Sequence, residues 1–102
     1  MYTYAGIQLN PLGYTQLTVS STAVSLGTIP AGALLAVVIV GTQSIRVRDD
    51  GVDPATGVGM LFGASTTSPQ QFPVTGGKAL ADTRLIRATG TDAEVNISFY
   101  GP

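Results

Sequence analysis

Eight consecutive apolar residues, Ala33-Leu34-Leu35-Ala36-Val37-Val38-Ile39-Val40, constrain this chain more than any other feature. The run is far short of the ~18 residues that a membrane-spanning helix needs, and it reads as a buried strand. Side chains alternate between the two faces of a strand, so a strand apolar throughout has to be covered on both. One face can meet the core of its own domain. The other has to meet an N-terminal arm, a loop or another chain. The last possibility makes Val38 and Val40 candidate interface residues; with Val37–Val40 at an interface, an Asp at Val38 or Ile39 is expected to abolish assembly while leaving a soluble or partly folded chain.

The rest of the chain is cut into short pieces by 13 Gly and 6 Pro, and no stretch reads as a convincing helix. Between the breaks lie runs rich in Val, Ile, Leu, Thr, Phe and Tyr, the signature of many short strands. Residues 1–13 read as an extended N-terminal arm. They carry Tyr2 and Tyr4, candidate packing residues, and end in the turn-like Asn10-Pro11-Leu12-Gly13. Strands are expected at Tyr14–Val19, Ala23–Leu26, the apolar run, Ser44–Arg48, Met60–Phe62, Gln70–Val74, Thr83–Ala88 and Glu94–Tyr100. Pro73 makes the sixth of these an edge. The last alternates most cleanly, with Val95, Ile97 and Phe99 on one face and Glu94, Asn96, Ser98 and Tyr100 on the other. About seven or eight short strands in 102 residues imply one all-β domain over 14–102, a β-sandwich or a jelly-roll-like barrel.

Composition narrows function mainly by exclusion. The chain has no histidine and no cysteine. That removes the Ser–His and Cys–His nucleophile pairs, the usual zinc sites and any disulfide framework. Its single lysine, Lys78, stands among Gly76, Gly77 and Ala79, which offers a Ser–Lys mechanism no support. Two carboxylates of a glycosidase could come from the six acids, but there is no Trp to form a sugar platform. Five cations against six anions give no basic stripe for nucleic acid and no polybasic patch for a membrane. No cofactor is implied, and the chain does not read as an enzyme. Charged residues make up 11%, against about 25% in a usual soluble protein. Either Thr, Ser, Gln and Gly cover the surface, or much of that surface meets protein.

The densest charge lies in Arg46-Val47-Arg48-Asp49-Asp50-Gly51-Val52-Asp53-Pro54. Asp and Gly take their preferred places in a turn there, with the arginines pairing nearby acids. Oxygen ligation of calcium by Asp49, Asp50 and Asp53 is a weaker reading, because the spacing is not that of an EF-hand loop. A further reading gives Arg46, Arg48, Asp49 and Asp50 intersubunit ion pairs, for which planar guanidinium groups are suited. Asn96-Ile97-Ser98 matches a glycosylation acceptor by chance, in the middle of a strand.

Three segments in order carry a resemblance: Ile45-Arg46-Val47-Arg48-Asp49-Asp50-Gly51, then Pro54-Ala55-Thr56-Gly57-Val58-Gly59-Met60, then Val95-Asn96-Ile97-Ser98-Phe99-Tyr100. Over about residues 14–101 the chain resembles small β-rich virion proteins of tailed bacteriophages, which include head decoration or cement proteins and neck and tail components. The resemblance implies no catalytic residues. It implies a structural protein made in the host cytoplasm and carried on the virion, most often the capsid surface. The expected partners are copies of itself, as a dimer or trimer, and the major capsid protein or another virion protein. The alternative is a carbohydrate- or receptor-binding β-sandwich module.

Overall fold

The computed structural model describes residues 2–4, 6–65 and 67–102, and of residues 2–4 and 7 the backbone alone. Among the described residues, eight strands and one short helix follow one another as β1 (Tyr2–Tyr4), β2 (Ile7–Val19), β3 (Leu35–Thr42), β4 (Ile45–Arg48), β5 (Met60–Phe62), β6 (Gln71–Thr75), α1 (Gly77–Asp82), β7 (Arg84–Arg87) and β8 (Ala93–Gly101). The fold is all-β, as the breaking of the chain by Gly and Pro implies.

The strands form two antiparallel sheets. The larger has the order β1-β2-β8-β3-β6 and the smaller β5-β4-β7. Ala23–Leu26, expected as a strand, contributes only a bridge from Val24 to Leu85 of β7. Both main-chain bonds of that bridge are made, Val24 N to Leu85 O at 2.9 Å and Leu85 N to Val24 O at 2.8 Å. Counting that bridge, the chain from β2 onward visits the sheets in the sequence large, small, large, small, small, large, small, large. The layers then run β2-β8-β3-β6 and Val24-β7-β4-β5, which is the strand order of a jelly roll. Thr89-Gly90-Thr91-Asp92 therefore carries the chain from one sheet to the other. It does not close a hairpin.

One core holds the sheets together. Val19, Ala36, Val38, Val40, Val74, Val95, Ile97 and Phe99 point inward from the large sheet, and Ile45, Val47 and Leu85 from the small one. β8 sits between β2 and β3 and alternates buried and half-buried residues along its whole length. Its apolar/polar alternation dictates that arrangement, since its neighbours seal both sides and its two faces differ.

Two segments differ from the sequence expectation. The boundary expected at residue 13 falls inside β2, which runs unbroken from Ile7. Asn10-Pro11-Leu12-Gly13 is a bulge, with the register against β8 shifting between Pro11 and Gly13. The start of β2 folds back on β1, with Tyr2 opposite Leu9 and Tyr4 opposite Ile7. Gly77 opens the six-residue helix α1, where no stretch of the sequence reads as a convincing helix. Leu80 anchors α1 in the core, and the buried Thr83 ends it, its Oγ1 donating to Ala79 O at 2.7 Å.

Candidate interaction surface

β3 is the strand with two apolar faces, and the structure separates them. Val38 and Val40 are fully buried, at 0% exposure, between the two sheets. They are core residues, and the expectation that they lie at an interface is corrected here. Strand parity turns Leu35, Val37 and Ile39 to the other side, the outer face of the large sheet.

That outer face carries a second apolar cluster of Leu9, Leu35 and Val37, with Ile39 and Tyr100 packed against it. Leu9 reaches it from the first residues of β2. The neighbouring register rows complete the face. Tyr14, Ser98 and Val37 stand side by side across β2, β8 and β3, and so do Gln16, Asn96 and Ile39. Pro73 and Gln71 of β6 follow as exposed neighbours of Val37 and Ile39. Tyr14 is 65% exposed. Its hydroxyl donates to Asn96 Oδ1 at 2.5 Å, and Gln16 Nε2 donates to the same oxygen at 3.3 Å. Tyr14, Val37, Ile39, Asn96, Ser98 and Tyr100 line a shallow depression of about 90 Å³. The surface is an aromatic and aliphatic floor with neutral hydrogen-bonding groups, and among the described residues its only charge is Glu94 at one end.

The charged segment makes contacts within its own chain. Arg46 Nε donates to Thr56 O at 3.2 Å, and its Nη1 donates to Gly59 O at 3.1 Å, so this guanidinium ties down the loop between β4 and β5. Gly59 has φ +136°, and a Cβ there would stand 3.2 Å from Val47 O and from Pro54 Cβ. The loop can pass over β4 only because this residue has no side chain. Arg48 meets Asp50 as a fork, with Nε to Oδ1 at 3.1 Å and Nη2 to Oδ2 at 2.5 Å. The hydrogen bond from Arg48 holds the Asp50 carboxyl below the usual carboxylate range, and the same bond raises the Arg48 guanidinium. Asp49 is exposed.

The three acids considered for calcium do not converge. Asp50 is taken by Arg48, and Asp53 Oδ1 lies 4.0 Å from Arg84 Nε. Among the described residues no three His, Cys, Asp or Glu gather in one place. The remaining exposed pairs are Lys78–Asp82 and Arg87–Asp92, both at 2.6 Å. Hydrogen bonding to Asp82 raises the Lys78 ammonium.

Of the residues expected at an interface, the side chains of Tyr2 and Tyr4 lie outside the described residues. Arg46 and Arg48 have partners in their own chain. Of the outer-face residues, Ile39 was expected to matter for assembly, while Tyr14 and Tyr100 were not singled out from sequence. Their signal was present: Tyr100 is an aromatic on the polar side of the alternating β8, and Tyr14 shares the polar side of its strand with Gln16. An aromatic among outward-facing residues marks a face that meets something.

Comparison with family models, with curated proteins and with solved structures finds no match to this chain. No helix among the described residues is long and apolar enough to cross a membrane.

Proposed function

We propose that this chain is a non-enzymatic structural protein of a tailed-bacteriophage virion, and that it decorates and cements the head. The observation that carries the reading is the second apolar face of β3. Around the buried Leu35 and Val37, the half-buried Ile39 and Tyr100 and the exposed Tyr14 give the large sheet an outer surface suited to meeting protein. The low charge of the chain and its resemblance to small β-rich virion proteins support the same reading. A jelly-roll strand order is compatible with it, although that architecture hosts many functions.

A cement protein acts by differential binding. It stabilises a mature shell to the extent that it binds the assembled lattice better than free subunits. Each contact can be modest, because many copies on one lattice act together. The sheet face suits such a contact: β2, β8 and β3 hold it rigid, so little conformational freedom is lost on docking.

Quantitative mass spectrometry of purified virions from the source, against the major shell protein, tests the proposal. Hundreds of copies per particle are expected. A dozen or fewer would move the protein to the neck or tail, and its absence from virions would overturn the reading. A second reading is favoured by Tyr14, Gln16 and Asn96, which place an exposed ring beside neutral amides, the groups that recognise a glycan. Binding of the isolated protein to a glycan array, lost in Tyr14→Ala, would support that alternative.

A further inference from the structure

The two sheets do not close over each other between β5 and β6, each an end strand of its sheet. Met60 stands opposite Val47 and Phe62 opposite Ile45, while Phe72 stands opposite Val38 and Val74 opposite Ala36. Residues paired across a ladder share a face, so these four side chains of β5 and β6 point between the sheets. Their partners are buried, yet Met60 is 49% exposed and Phe62 and Phe72 are half-buried.

The gap is a cleft of about 290 Å³, with the stacked rings of Phe62 and Phe72, 4.3 Å apart, in its wall. Sites for small molecules start at roughly 300 Å³, so the cleft has room for one long side chain. Asp49 stands two residues beyond Val47 and lines the same cleft. Its carboxylate has no hydrogen bond or ion pair among the described residues. The charges around it are already paired with each other: Arg48 forks onto Asp50, and Lys78 holds Asp82. Three carboxylates against two cations leave one negative charge at the mouth. The cleft also continues into a second hollow of about 270 Å³, which shares Val47, Asp49 and Met60 with it and adds the exposed Val58.

We propose that this cleft is a docking site for an arginine side chain carried on a segment of a different protein. The stem lies along Met60, Phe62 and Phe72, and the guanidinium reaches Asp49. A guanidinium is planar and weakly hydrated, so it lies against aromatic walls and forks onto a carboxylate more readily than an ammonium does. A neutral apolar occupant would cover Asp49 and leave it unpaired, and an anionic one would meet a like charge. A second copy of this chain does not supply the cation, because all five of its cations are engaged within it. Arg46 donates to Thr56 O and Gly59 O, and Arg84 to Ala81 O and Thr83 O. Arg48, Lys78 and Arg87 hold Asp50, Asp82 and Asp92. A free cation would fill the cleft and leave Met60 and Val58 open in the adjoining hollow, whereas a chain segment covers both. The site is separate from the outer face of the large sheet and does not depend on the virion reading.

Nuclear magnetic resonance titration tests it, with a blocked pentapeptide that has arginine between two valines and glycine at each end. The control peptide carries citrulline, the neutral isostere of arginine. The arginine peptide is expected to shift the Met60 methyl and the Phe62 and Phe72 ring signals saturably, with a Kd of about 1 mM or tighter. Citrulline in the peptide and Asp49→Asn in the protein are each expected to weaken binding about fivefold, the range of an exposed ion pair. Asp49 is exposed and unpaired, so the variant is expected to fold as the wild type does. Glu94→Gln removes the same charge from one end of the outer face and is expected to leave the Kd unchanged. Met60→Lys puts a cation at the mouth and is expected to abolish binding. No shift up to roughly 10 mM peptide, equal binding of the citrulline peptide, an unchanged Kd in Asp49→Asn, or binding retained by Met60→Lys would each overturn the proposal. Equal weakening by Glu94→Gln would overturn it too, since the attraction would then be to an acidic chain in general. n-Butylguanidinium, the side chain without its backbone, is expected to bind at least about threefold more weakly than the peptide, for want of the apolar area its neighbours bury. Equal binding would overturn the assignment to a chain segment and give the cleft to a free cation.

Discussion

The two faces of the large sheet are built from the same strands and differ in what seals them. On the inner face, Val38, Val40, Val95, Ile97 and Phe99 are closed off by the small sheet and are at most 1% exposed. On the outer face, Leu35, Val37, Ile39 and Tyr100 lean on one another and on Leu9, with no second sheet above them. Hydrophobicity alone does not separate Val37 from Val38. The difference lies in parity and in the layer that the rest of the chain can supply. Every apolar residue on the first face is closed off, while on the second Leu35 and Val37 are buried too, at 1% and 9% exposure, and the half-buried Ile39 and Tyr100 are the ones open to a partner.

The sharpest way to break this comparison is to put the same charge on adjacent positions of β3. Val38→Asp buries a carboxylate among Val, Ile and Phe with no partner, a cost of several kcal/mol against a whole-domain stability of about 5–15 kcal/mol. The expected outcome is an unfolded chain by circular dichroism at 25 °C. Ile39→Asp places its carboxylate on the half-buried outer face, where it can reach water. That variant is expected to fold with a lowered Tm and to lose binding to purified heads. If both variants unfold, the outer face is as much core as the inner one.

The next test compares neighbours on β8. Phe99→Ala empties a fully buried position and is expected to cost about 3–5 kcal/mol, read from the denaturant midpoint. Tyr100→Ala removes a ring from the partly open face and is expected to cost less than half as much. Equal losses would mean that the outer cluster is packed as tightly as the core.

Tyr14→Ala separates binding from stability on the outer face itself. The ring is largely exposed, so the loss is the net worth of one hydrogen bond to Asn96 and some packing, about 1 kcal/mol. Co-sedimentation with heads is expected to weaken by at least about tenfold, equal to ~1.4 kcal/mol per contact. Unchanged binding would take the shell contact off this face.

How far these faces could be read from sequence depends on the strand. β8 was legible in full, because Val95, Ile97 and Phe99 alternate with polar residues and only one parity can be core. β3 was legible as a strand but not as a pair of faces. Apolar residues at both parities leave the inner side undetermined, and Val38 and Val40 were accordingly placed on the wrong one. What decides it is the long-range pairing of Val38 with Ile97, which no local pattern contains. β2 was cut short because Pro11 and Gly13 signal a turn locally, whereas in the sheet they flank a bulge. α1 escaped notice because Gly77-Lys78-Ala79-Leu80-Ala81-Asp82 is too short to show a period and has no side-chain cap. Its helix is held by burial of Leu80, a tertiary effect. The Arg46–Asp50 segment was legible as a turn with paired charges. The reach of Arg46 to Thr56 and Gly59 depends on how the loop folds back, and no spacing rule gives that.

The smallest effect expected concerns a charge that lies off both faces. The hydrogen bond from Arg48 lowers the Asp50 carboxyl in the folded chain, so its folded value lies below its unfolded one. The sign follows from linkage: the unfolded chain holds the proton more tightly, and stability falls as pH falls. The contribution is fully present above the ordinary aspartate range, near pH ~4, and is lost as the pH drops through the lower folded value. Both partners are solvent-accessible, with Arg48 and Asp50 side chains 31% and 50% exposed, so screening keeps the effect small. In thermal melts between neutral pH and the acid limb, Asp50→Asn is expected to match the wild type closely at low pH and to fall slightly below it at neutral pH. The gap is expected to narrow further in high salt. The opposite order, with the variant more stable at neutral pH, would mean that the Arg48–Asp50 fork does not form in solution. Salt-insensitive loss of head binding in the same variant would show that this turn, and not the outer face of the large sheet, meets the partner.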